Sequence, residues 1–161
     1  MGRNALTGLR ASVIAVGRIS NTHCRSLCQD YNAMVQKHLP VAVHEVREGN
    51  GKGGVAKAAE APRILKLLPD GVFAVAMDER GSSLTSAAFA AWLLEKRERG
   101  VRDVRFVVGG SFGIDAAVLS RCNESIRLSD MTLPYPLARV VLLEQLYRGV
   151  TLAVGSPYHI E

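Results

Sequence analysis

Five short aliphatic runs alternate with five longer segments of helical spacing, and that alternation restricts the fold of this 161-residue chain more than any other feature. The runs are residues 9–16, 41–46, 72–77, 104–108 and a weaker 125–128; the helical segments are 21–39, 54–68, 84–100, 115–122 and 136–149. Strand followed by helix, repeated, is the sequence form of a parallel sheet covered by helices. Strands buried on both faces need aliphatic side chains in both directions, and Val72-Phe73-Ala74-Val75-Ala76-Met77 and Phe106-Val107-Val108 supply them. The expected class is therefore α/β, with a mostly parallel sheet flanked by helices.

Local signals sharpen the boundaries. Leu84, Ala87, Ala88, Ala91 and Leu94 follow helical spacing, the charged run from Glu95 to Arg99 reads as a solvated last turn, and Gly100 ends the helix. Pro136 opens the last helix, whose Leu137, Val140, Val141, Leu142, Leu143, Leu146 and Tyr147 wrap nearly the whole cylinder. Such a helix must be covered on more than one side, by the sheet and a tail or by a second subunit. With no internal repeat or interdomain linker, residues 1–161 read as one domain, of which 1–8 form a short flexible tail.

Lys and Arg number 20 against 15 Asp and Glu, a formal charge of +5, which favours a polyanionic partner. The three cysteines, Cys24, Cys28 and Cys122, have no tight metal spacing, and their odd count argues against a disulfide framework. His23, Cys24 and Cys28 lack the further ligands a metal site needs, so no metal is expected. No apolar run approaches the ~18 residues of a membrane span, and residues 1–10 lack a secretory apolar region. A cytoplasmic protein is expected.

Three loops carry the chemistry. Residues 48–54 hold four glycines and Lys52, but a Walker A loop needs Ser or Thr after its lysine and here Gly53 follows; a mobile basic loop able to touch an RNA phosphate remains. Gly109, Gly110 and Gly113 stand directly after a buried strand, where open α/β sheets bind ligands and where glycine permits close backbone approach. Their spacing is not the dinucleotide fingerprint, which disfavours a nucleotide-dependent oxidoreductase. Residues 129–139 pass from a strand end through an extended segment, straightened by Pro134 and Pro136, into a helix with Arg139 in its first turn; Leu133 and Tyr135 are held out of helix.

Val-Gly-Gly-Ser-Phe-Gly at 108–113, the stretch from Leu128 to Arg148, and the terminal Pro-Tyr-His-Ile-Glu at 157–161 together resemble the RlmH-type pseudouridine N3-methyltransferases of the large ribosomal subunit, minimal members of the SPOUT superfamily. The order of elements from Leu9 onward is similar too, including Val16-Gly17. The resemblance implies a C-terminal trefoil knot, a homodimer, S-adenosylmethionine as methyl donor, and a pseudouridine of large-subunit ribosomal RNA as acceptor, methylated on the assembled ribosome. It also implies donor contacts by Met77, Gly109, Gly110, Leu128, Ser129, Asp130, Met131, Thr132, Leu133 and Pro134, largely through backbone.

The chain departs from that family at Tyr135, where histidine is usual, and at Ile160, where a basic residue is common. Pseudouridine N3 is a weakly acidic imide that must lose its proton, and His159 is best suited to accept it, with Tyr158 and Arg139 completing the catalytic set. Tyr135 and Glu144 stand next in line as acceptors. Arg139, Arg148 and Lys52 are the expected RNA contacts. A non-catalytic RNA-binding or ribosome-assembly factor that keeps the fold is the alternative.

Overall fold

The structure, a computed structural model, describes residues 5–160, with His159 and Ile160 described by backbone alone. The elements run β1 (Arg10–Val16), α1 (Thr22–Val35), β2 (Val41–Val46), α2 (Gly54–Leu65), β3 (Phe73–Ser83), α3 (Ser86–Glu98), β4 (Asp103–Val108), α4 (Ala116–Arg121), β5 (Glu124–Arg127) and α5 (Tyr135–Val154), followed by a 3-10 turn at Pro157–Ile160. The strands form one sheet in the order β2-β1-β4-β3-β5. Every neighbouring pair is parallel, with Val13 opposite both Val43 and Phe106 and Val75 opposite Phe106.

The two-residue period of a strand sorts its side chains into two cores. Val13, Ala15, Val75, Phe106 and Val108 pack with Cys28 and Val35 of α1, Phe89 and Leu93 of α3, and Leu142, Leu143 and Leu146 of α5. Ile14, Val16, Ala74, Ala76 and Val107 pack with Ala61 and Ile64 of α2 and Val118 of α4. The result is three layers, with α1, α3 and α5 on one face and α2 and α4 on the other. Asn21, Thr85 and Asp115 cap the starts of α1, α3 and α4 through side-chain oxygens, and Gly100 leaves α3 at φ +87°. No helix among the described residues is long and apolar enough to cross a membrane.

Two elements outrun the sequence pattern. β3 continues six residues beyond Met77, and both Met77 and Ser82 pair with Ile126, so residues 78–81 bulge out of the ladder. The aliphatic pattern stops at Asp78-Glu79-Arg80, which is why sequence periodicity ends the strand too early. Gly81 passes directly against β5: a Cβ there would lie 2.6 Å from the Ile126 nitrogen and 2.6 Å from the Ser125 carbonyl carbon. Because backbone cannot yield as a flexible side chain does, Gly81→Ala is expected to destabilise the fold by about 1–3 kcal/mol. Denaturant unfolding checks this, and unchanged stability would show that the bulge tolerates a Cβ.

α5 runs past Gly149 to Val154 and stops at Gly155, which adopts φ 74°. Gly149 is not a terminator but a point of close helix approach, since a Cβ there would lie 3.2 Å from Leu93 and 3.3 Å from Phe89 of α3. α1, α3 and the sheet bury Val140, Leu142, Leu143 and Leu146, leaving Leu137 exposed and Val141 and Tyr147 half-buried. Most of the apolar surface that seemed to demand a second subunit is therefore covered within the chain.

Residues 5–8, expected within the flexible tail, form a turn closed by the Leu9 amide on the Leu6 carbonyl at 3.0 Å, and Leu6 is buried in the core. Residues 1–4 of that expectation lie outside the described residues.

Candidate active site

Beyond the carboxyl ends of β3, β4 and β5 lies a cavity of about 890 Å³. It is lined by residues 77–80, by the loop 108–114, by much of 127–136, and by Lys57 and Ala138. This is where helices diverging to opposite faces of an open sheet leave a crevice. Met77, Gly109, Gly110, Leu128, Ser129, Met131, Thr132, Leu133 and Pro134 all line it. Asp130 does not; its carboxylate instead meets the Arg127 guanidinium at 2.9 Å.

The glycine loop is a tight turn. The Gly113 amide donates to the Gly110 carbonyl at 3.1 Å, and Gly113 adopts φ 85°. A Cβ on Gly109 would stand 2.7 Å from both the carbonyl carbon and oxygen of Gly113. Gly110 serves differently: its Cβ would meet Val16 at 3.0 Å and Glu60 at 3.8 Å, so its lack of a side chain seats the loop on β1 and α2. On the opposite segment, Ser129 Oγ accepts from the Met131 amide at 2.9 Å and Pro134 is extended ahead of α5. No backbone–backbone hydrogen bond among the described residues engages residues 129–133. Apart from the Met131 amide, which Ser129 Oγ holds, their amides and carbonyls are available to a ligand.

Charge of both signs lines the cavity. Asp78 and Glu79 are joined by Arg80, whose Nε and Nη2 donate to Asp78 at 2.9 and 3.1 Å. That hydrogen bond holds the Asp78 carboxyl below its ordinary range, against the opposing effect of burial. Sequence reasoning missed Lys57, Asp78, Glu79, Arg80, Phe112 and Arg127. The available signals were a charged tetrapeptide ending an aliphatic strand and an aromatic residue inside a glycine turn.

Arg139 requires a correction. Expected to touch RNA or the reacting base, it is 3% exposed. Its Nη1 donates to Glu45 at 3.0 Å and its Nη2 to the Gly17 carbonyl at 2.8 Å, while Nε has no partner. It clamps the first turn of α5 onto the carboxyl ends of β1 and β2, because α5 packs beside α1 and carries that turn inward. The neighbouring Tyr135 hydroxyl donates to Glu48 at 3.3 Å. Burial, then the Glu48 charge, raises its pKa above the ordinary phenol value, so at neutral pH Tyr135 is a hydrogen-bond donor and not a base.

The remaining expected groups lie elsewhere. The Tyr158 ring packs 4.4 Å from that of Tyr147 with the Arg148 guanidinium 5.0 Å above it, and its hydroxyl donates to Glu144 at 3.4 Å. Burial and a hydrogen bond with Tyr31 push the Tyr158 pKa up to about 12. Arg148 also pairs with Glu144 at 2.8 Å. None of these lines the cavity; Glu144 sits nine residues along α5 from Tyr135, roughly 13 Å at 1.5 Å per residue. The side chain of His159 lies outside the described residues.

Lys52 is exposed and outside the cavity lining, on a loop that is more firmly held than its glycines suggest. The Gly49 amide donates to buried Glu60 at 3.0 Å, and Arg63 donates to the carbonyls of Arg47 and Glu48 at 2.7 and 3.0 Å. Among the described residues no cluster of three His, Cys, Asp or Glu could hold a metal ion.

Residues 9–159 match the model of the family described as "Predicted SPOUT methyltransferase". The chain is 41% identical over 148 residues to a protein of Solidesulfovibrio magneticus, covering 91% of this chain and 96% of that one. It is 37% identical over 154 residues to one of Geobacter sp., covering 95% and 100%. Both relatives are named ribosomal RNA large subunit methyltransferase H. Among solved structures, that of a methylase family protein from Neisseria gonorrhoeae superposes with a TM-score of 0.52 at 15% identity, covering 89% of this chain and 83% of that one, a likeness of fold.

Proposed function

Because the chain belongs to the SPOUT methyltransferase family, we propose that it transfers a methyl group from S-adenosylmethionine to N3 of a pseudouridine in large-subunit ribosomal RNA. It acts on the assembled ribosome in the cytoplasm. The observation that carries this is the cavity at the carboxyl ends of β3, β4 and β5, lined by the two loops to which the family resemblance assigns the donor. Its volume of about 890 Å³ falls in the range that encloses small ligands. The donor supplies an already electrophilic methyl group when bound.

The protein's work is then to bind, orient and exclude water. The loops at 109–113 and 128–134 offer amides and carbonyls for the nucleoside portion, and Asp78 and Glu79 supply negative charge for its cationic portion. Arg139 fixes the first turn of α5, and with it the end of the 128–134 loop, through Glu45 and Gly17. His159 takes the imide proton, a role in which Tyr158 assists by holding the terminal turn against α5.

The chain acts as a homodimer, with residues 1–161 forming one domain whose C-terminal segment is knotted. The separation of Tyr158 from the cavity within one chain supports the second copy, whose tail would complete the site. The close passage of Gly81 against β5 fits a tightly threaded crossing.

Mass spectrometry of ribosomal RNA from cells with and without the gene, beside calorimetric titration with S-adenosylmethionine, tests the activity. One methyl group on a large-subunit pseudouridine should depend on the gene, and the donor should bind the purified chain. Donor binding without any gene-dependent methyl group would overturn the substrate. Failure of both would favour an RNA-binding protein that has kept the fold without turnover.

A further inference from the structure

Resting on the RNA substrate proposed above, we propose that Phe112 is a stacking platform on which an unpaired nucleobase of the RNA is held beside the donor cavity. Phe112 is 46% exposed and is the one aromatic residue among the large hydrophobic side chains exposed in the described chain. Exposure alone is ordinary for a surface residue. Its mounting is not. Phe112 sits at the tip of the turn closed by the Gly113 amide on the Gly110 carbonyl, a turn that a Cβ on Gly109 would force open. A ring with two torsions on a fixed turn loses little freedom when something stacks on it.

The surroundings select the occupant. Phe112 lines the donor cavity together with Lys57 and Arg80, and Lys57 has no carboxylate within salt-bridge distance among the described residues. A cation without a salt-bridge partner and an exposed aromatic face on one cavity suit single-stranded nucleic acid, with a phosphate on the ammonium and a base on the ring. A protein partner is a poor fit. Ser111 and Gly113 on either side are polar or bare, and the other large exposed apolar side chain on the cavity is Met131. Two side chains fall well short of the roughly 800 Å² that a stable protein interface takes from each partner. An enzyme that modifies a base must also hold that base out of its stack, and an aromatic face at the rim of the donor cavity meets that need.

The test compares wild type with Phe112→Ala, Phe112→Leu and Phe112→Trp. A hairpin carrying pseudouridine in its loop and intact bacterial large subunits serve as RNA probes, with S-adenosylmethionine titrated separately. Phe112→Ala should weaken RNA binding roughly tenfold or more, tryptophan should restore it and leucine should not, while donor affinity should change much less than RNA affinity in all three, because the backbone amides of 109–113 are retained. RNA affinity unaltered in Phe112→Ala would overturn the proposal while leaving methylation of ribosomal RNA standing. Rescue by leucine would also overturn it, replacing stacking with simple apolar contact. A loss of donor affinity as large as the loss of RNA affinity would overturn it by assigning the ring to the donor pocket, and a change in sedimentation would overturn it by assigning the ring to a contact between copies. Wild type that neither binds nor methylates either RNA would overturn this proposal and the proposed substrate together.

Discussion

Removal of residues 157–161 is expected to slow methyl transfer by about 10²–10⁴-fold, the contribution of a general base and its positioning, while leaving donor binding as it was. The described part of this segment touches α5 around Glu144, Tyr147 and Arg148 and does not line the donor cavity. Deleting it therefore leaves the walls of that cavity in place. Tyr158 is not the base: with its pKa pushed up to about 12 by burial, its phenol stays protonated throughout the neutral range. Tyr158→Phe should accordingly keep most of the rate, losing only the hydrogen bonds that seat the turn, whereas His159→Ala should reproduce most of the loss. Ile160→Arg should if anything raise RNA affinity by one charge-assisted contact. Single-turnover transfer to ribosomes, measured beside donor affinity for each variant, separates these outcomes. Full activity in the truncated chain would move the search for the base to Glu144, already held by Arg148 at 2.8 Å.

The second large effect concerns the glycine loop. Gly109→Ala is expected to abolish detectable donor binding at millimolar S-adenosylmethionine, because its Cβ would stand 2.7 Å from the Gly113 carbonyl and the turn must open to admit it. Opening moves the 109–113 amides away from the cavity and swings Phe112 with them. Gly110→Ala should be milder, since its nearest neighbour is a Val16 methyl at 3.0 Å that can shift by a few tenths of an ångström. Ser111→Ala, at an exposed corner, should leave affinity unchanged. Calorimetric titration of the three variants, with thermal unfolding to confirm that each is folded, checks the order. Equal affinity in Gly109→Ala and wild type would reduce the loop to a strand-to-helix connection.

The hydrophobic periodicity of the chain determined a great deal by itself. Four of the five strands lie within one residue of the runs read from sequence. For β1 and β4 the reason is that a strand covered on both faces needs apolar side chains in both directions, whereas β2 and β5 are edge strands with one or two buried residues each. The two loops that line the cavity were legible for a related reason. Glycine after a buried strand and proline before a helix fix local backbone whatever surrounds them, and both loops do line the cavity.

Tertiary structure alone decided the rest. Whether Gly149 ends α5 or admits α3 depends on Phe89 and Leu93, some 60 residues earlier in the chain. Arg139 looks like a free first-turn cation until β1 and β2 present the Gly17 carbonyl and Glu45, and then it becomes a buried clamp. Asp78, Arg80 and Lys57 reach one cavity only because β3 bulges past β5 and α2 crosses the opposite face of the sheet. A local pattern can specify an element and its caps, since those follow from bonds between near neighbours. Which side chains meet across a sheet is set by packing between distant segments, and no single window of sequence contains both sides of such a contact.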